Sequence, residues 1–73
     1  MCQSEVAELQ RKIVEEYEAM KRGLPGFARG AAKHAFIDAR LESVDRYHHQ
    51  LVQYIGEQEA THIICELYMQ VMG

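Results

Sequence analysis

Tryptophan is absent from this 73-residue chain, and proline occurs once. With one proline, almost nothing interrupts a helical backbone. The β-branched residues fall at helical spacings and not in alternating runs, which argues against strands. Cysteine occurs twice, too little for a disulfide framework. Cys2 lies near one end and Cys65 sits in an apolar helical stretch, so a reduced, cytoplasmic setting is the simpler expectation. No apolar run approaches the roughly 18 residues of a membrane span. The opening "MCQSEVAELQ" is polar and acidic and does not read as a secretory leader.

Nucleophiles are also scarce. Ser4, Ser43 and Thr61 are the only hydroxyl residues besides tyrosine, and no Gly-Lys-Ser/Thr phosphate loop occurs. A thiol in apolar surroundings, such as Cys65, is poorly reactive. So short a chain leaves little room for a concave pocket. An enzyme is not expected, and no cofactor is implied.

Charge of one sign is missing from whole segments. Residues 47–73 hold three acids and no Lys or Arg, whereas residues 21–46 hold six bases and three acids. Residues 1–20 hold five acids and two bases. A basic middle between acidic ends is most simply explained by neutralisation between packed helices. Nearly half the residues are apolar, which excludes a disordered chain. At this length a monomer buries only about 60% of its unfolded surface and is marginal alone.

Periodicity predicts an all-α single domain over residues 1–73 with three helices, at about 4–22, 28–55 and 57–72. The first has Ser4 as a candidate N-cap and Gly23 as its stop. Its apolar residues Val6, Leu9, Ile13, Tyr17 and Met20 make one narrow stripe. The stretch "GLPGFARG" turns the chain into the second helix. That helix carries Ile37, Leu41, Val44, His48, Leu51 and Ile55 as its stripe, with Phe36, Tyr47 and Tyr54 on one flank. Gly56 stops it, and the third helix follows at once.

The third helix has more apolar surface than one neighbour can cover. Ala60, Ile63, Ile64, Leu67, Tyr68 and Val71 form its stripe, yet His62, Cys65, Met69 and Met72 occupy the opposite side. A helix apolar nearly all round is buried nearly all round. The helical hairpin and C-terminal helix are therefore expected to become a four- to six-helix bundle by homodimerisation, with His62, Cys65, Met69 and Met72 as the self-interface.

Three other constellations carry possible chemistry. The carboxylate-x-x-His spacing occurs at Asp45–His48 and Glu59–His62, as in metal-binding bundles of ferritin-like type. Glu15, Glu16 or Glu42 are available as further carboxylates. Chance alone gives roughly 0.6 such spacings at this composition, so they support only an alternative reading. The second is Arg22, Arg29 and Lys33 beside a glycine-rich turn, an anion or nucleic-acid site within the basic segment 21–40. A solvated loop is the plainer account of it. The third is the sulfur-and-imidazole set on helix three, which suits soft metals but suits an adaptable Met-rich contact better. Histidine and carboxylate also recur at i, i+4 in His34–Asp38, Asp45–His49 and His62–Glu66, ordinary helix-surface pairs. His48 lies on a packing stripe and is expected as a neutral imidazole bonded to a carboxylate, a tyrosine or a carbonyl, fixing register.

The leading expectation is thus a small non-enzymatic association module: a homodimer acting as adaptor, regulator or assembly element, with a second protein as a further partner. A membrane is excluded as a partner on these grounds, and nucleic acid is disfavoured.

Overall fold

The structure is a computed structural model that describes residues 2–23 and 31–73, with side chains described from Glu5 and, after the gap, from Ala32. Three helices make up the described chain: α1 (Cys2–Gly23), α2 (Ala31–Ile55) and α3 (Glu57–Met72). Helix α1 starts two residues before the expected cap, so Ser4 lies inside it, and Gly23 is its last residue and not its stop. The expected start of α2 near residue 28 lies outside the described residues.

The α1 stripe is buried as its spacing predicts. Leu9, Ile13, Tyr17 and Met20 are all in the core, with Val6 packed beside them. On the opposite side, Arg11 bonds both Glu8 and Glu15, one turn away in either direction. That hydrogen bond is the main reason the Glu8 carboxyl titrates below its usual range. Both groups are solvated, so the pair is a surface feature.

Pair contacts fix the topology. Glu16 meets Arg40 at 2.8 Å, and Lys12 lies 5.9 Å from the centre of the Tyr47 ring. A Cβ added to Gly23 would come within 2.6 Å of the Phe36 ring. Residue numbers fall along α1 as they rise along α2, so the two are antiparallel. Tyr17 meets Tyr68 edge to face at 5.4 Å, and Lys21 Nζ donates to the Val71 carbonyl at 3.0 Å, so α3 runs parallel to α1. Each helix packs on the other two, giving an up-down-up bundle of 42 × 19 × 18 Å.

The Lys21 bond offsets a local deficit. Helix α3 has no basic residue in its last turn. Its terminal carbonyls are without helical partners, and a cation from α1 serves one of them.

Helix α2 departs from its expected face. Val44 and Leu51 are buried and Ile37, His48 and Ile55 are half-buried, but Leu41 is 44% exposed. Ser43 is buried instead, accepting from Arg46 Nη2 at 3.2 Å. The buried sector is turned toward the flank of Phe36, Arg40 and Tyr47 because α1 stands against that flank. Leu41 is left at the other edge, where α2 borders α3.

Between α2 and α3 the link is Gly56 alone, with φ 89° and ψ 162°. That backbone region is essentially restricted to glycine. Gly56 N–H donates to the Val52 carbonyl at 2.9 Å, and the Gly56 carbonyl accepts from Ala60 N–H at 3.0 Å. One residue therefore ends one helix and begins the next. Among the described residues no helix is long and apolar enough to cross a membrane.

Candidate functional site: the outer side of α3 and its border with α2

Inward packing uses only part of the apolar surface of α3. Ala60 is fully buried. Ile63, Ile64, Leu67 and Val71 are half-buried and touch the core. Tyr68 remains 45% exposed although it belongs to the same stripe. The reason is that α3 has one neighbour on each side and nothing over its remaining arc.

The four proposed interface residues lie on or beside that arc. Met69 is 67% exposed, and Cys65 is exposed with a free thiol. Met72 is half-buried against the core. His62 is exposed and pairs with Glu66 one turn on, Nε2 to Oε2 3.3 Å. His62, Cys65, Glu66 and Met69 line a shallow hollow of about 450 Å³. At i, i+3 and i+7, the imidazole, thiol and thioether share one face of the helix.

A second hollow, of about 280 Å³, follows the border of α2 and α3. Leu41, His48, Thr61 and Ile64 form its walls, and Tyr17 of α1 also lines it. His48 Nε2 lies 3.2 Å from Thr61 Oγ1. The partner of His48 is thus a hydroxyl, not the carboxylate, tyrosine or carbonyl expected from sequence. Beside Leu41 the surface opens into a concavity bordered by Asp38, Glu42 and Asp45. Tyr17 is buried, and its phenol is pushed above the ordinary 10, first by burial and then by repulsion from Cys65 and Tyr68 when these ionise.

The metal candidates are placed as follows. Asp45 and His48 stand on α2 and border the second hollow together. Asp45 pairs with His49 at 3.7 Å. Glu59 and His62 are both exposed on α3, with His62 turned to Glu66. Among the described residues no group of three or more His, Cys, Asp or Glu side chains converges.

Of the anion candidates, Arg22 and Lys33 are exposed and Arg29 lies outside the described residues. Arg22 and Lys21 share a hollow with Glu18, which places a carboxylate among the cations. Spacing places Leu41 and Tyr68 on packing stripes, yet both are exposed at the surface. The signal for Leu41 was the aromatic flank: with Phe36 and Tyr47 against α1, the opposite edge of the helix must turn outward.

No protein-family model, curated protein or solved structure matches the chain.

Proposed function

We propose that this protein is a non-enzymatic association module that pairs with a second copy of itself through the outer side of α3. The observation that carries the reading is the exposure of Met69, Cys65 and Tyr68 on one arc of one helix. Single exposed apolar residues need no explanation, but a contiguous set on one helical face marks a contact. Methionine suits such a surface because its unbranched thioether adapts to the opposing side chains.

A partner covering about 800 Å² on each copy would make an interface of ordinary size. The product would be a six-helix assembly around a two-fold axis. The reading takes the reducing cytoplasm as its setting, with Cys65 kept as a thiol, and adaptor, regulatory or assembly work as its role.

Sedimentation at micromolar concentration tests it. The expected result is a species of twice 8.4 kDa that Met69→Glu converts to monomer without loss of helical signal. A wild-type chain that sediments as a monomer throughout the micromolar range overturns the reading.

A further inference from the structure

We infer that the border between α2 and α3 around Leu41 is a docking groove for a basic amphipathic helix of another protein. Leu41 lies on α2, away from Met69, so Leu41→Lys and Met69→Glu separate this groove from self-pairing, although Thr61 and Ile64 of α3 also line it.

The groove has the dimensions of a side-chain receptor. At about 280 Å³ it is smaller than ordinary small-molecule sites, which run from about 300 to 1,000 Å³. Leu41, Ile64 and the buried Val44 give it an apolar lining, with the His48–Thr61 pair as a polar feature. Two antiparallel helices with an apolar furrow between them accept a third by its i, i+3, i+4 and i+7 anchors, and a four-helix bundle results. Helix α3 is about 24 Å long, so an incoming segment of about 16 residues matches it.

Charge selects the occupant. Asp38, Glu42 and Asp45 border the α2 edge beside Leu41. Asp38 and Glu42 make no ion pair with any described residue, and Asp45 has only His49, at 3.7 Å. Of the α2 cations, Arg40 is paired with Glu16 on α1, Arg46 bonds the Ser43 hydroxyl and makes no ion pair with Glu42 or Asp45, and Lys33 lies five residues before Asp38. Helix α3 contains no Lys or Arg, and its acidic side chains are Glu57, Glu59 and Glu66. A helix with Lys or Arg on the flank facing α2 would neutralise the uncompensated row. The α3 of a second copy would bring acid to acid, which costs association. The groove thus disfavours the α3 of a second copy and favours a helix with basic flanks.

The probe is a synthetic 16-residue helix with leucines at heptad spacing and lysines on the flanks. A second peptide with glutamate for every lysine is the control. Anisotropy titration should show salt-sensitive binding of the lysine peptide, and binding of the glutamate peptide weaker by about tenfold or more. Leu41→Lys should reduce lysine-peptide affinity by about tenfold or more. Asp38→Asn, Glu42→Gln and Asp45→Asn together should reduce it about tenfold and flatten its salt dependence. Both variants change exposed residues, and retained helical signal on melting verifies the fold. Equal binding of the two peptides, or unchanged binding by Leu41→Lys, overturns the inference. So does a homodimer that Leu41→Lys dissociates and Met69→Glu does not, since a second copy would then fill the groove.

Discussion

Gly56→Ala should be the most damaging conservative change among the described exposed residues. The residue sits at φ 89° and ψ 162°, a conformation that costs a side-chain-bearing residue about 1–3 kcal/mol. A Cβ there meets nothing within 4 Å, so the cost is from the backbone and not from a clash. Local relaxation is restricted because the residue's N–H belongs to the end of α2 and its carbonyl to the start of α3. A loss of about 2 kcal/mol corresponds to a fall in Tm of about 8–16 °C for a domain of this size. Alanine also favours the alternative by about 1 kcal/mol, since it prefers a helix that continues. A straight helix from 31 to 72 would be about 63 Å long, well beyond the 42 Å bundle, and would carry α3 out of its own core. A second chain could then receive it, giving a swapped dimer. Thermal melts followed by circular dichroism measure the loss, and small-angle scattering reads the length. Gly56→Ser should cost no more than Gly56→Ala, because serine favours a continuous helix less and Gly56 is the N-cap of α3. A melting temperature within about 2 °C of wild type, or a loss that grows with side-chain size, would refute the backbone argument.

Two further outcomes follow from the buried and half-buried polar groups. Tyr17 should ionise above the ordinary tyrosine value, because burial and then Cys65 and Tyr68 raise its folded pKa. The unfolded chain releases that proton near 10, so Tyr17's contribution is complete below 10 and is lost as pH rises beyond it. Phenolate absorbance should contain a component above the ordinary tyrosine value that Tyr17→Phe removes; a variant that retains that component would contradict this. His48→Leu should change stability by less than about 1 kcal/mol, because a partly solvated hydrogen bond to Thr61 is exchanged for apolar contact beside Val44. A loss above about 2 kcal/mol, or a changed assembly state by sedimentation, would mean that His48 fixes register.

The three helices differed in how much of their packing the residue pattern determines. In α1 the apolar residues make one narrow stripe among charges, and only one buried face is compatible with that. In α2 the apolar and aromatic residues cover a wide arc. Periodicity locates the arc but not which part of it meets α1, and so Leu41 was placed inward and Ser43 was not. That choice depends on Glu16, Lys12 and Gly23, residues on another helix, which no reading of α2 alone contains. Gly56 was legible as a break, because glycine favours stopping a helix. That a single residue suffices for the reversal was not, since its φ and ψ follow from both helices docking on α1.

The apolar excess on α3 is not accounted for by the bundle itself. Val71 sits toward the end of α1 and Ile64 toward α2, and these two directions use up the contacts that a three-helix arrangement offers. Polar residues at Cys65 and Met69 would leave that arrangement intact, because exposed positions tolerate substitution within about 0.5 kcal/mol. Thiol and thioether there instead add exposed apolar surface that favours aggregation. The proposed pairing would remove this cost and add burial to the seven apolar residues buried among those described. The hydrophobic stripe of α1 is buried within this chain, whereas the outer side of α3 leaves Cys65, Tyr68 and Met69 exposed, and the proposed pairing would cover them.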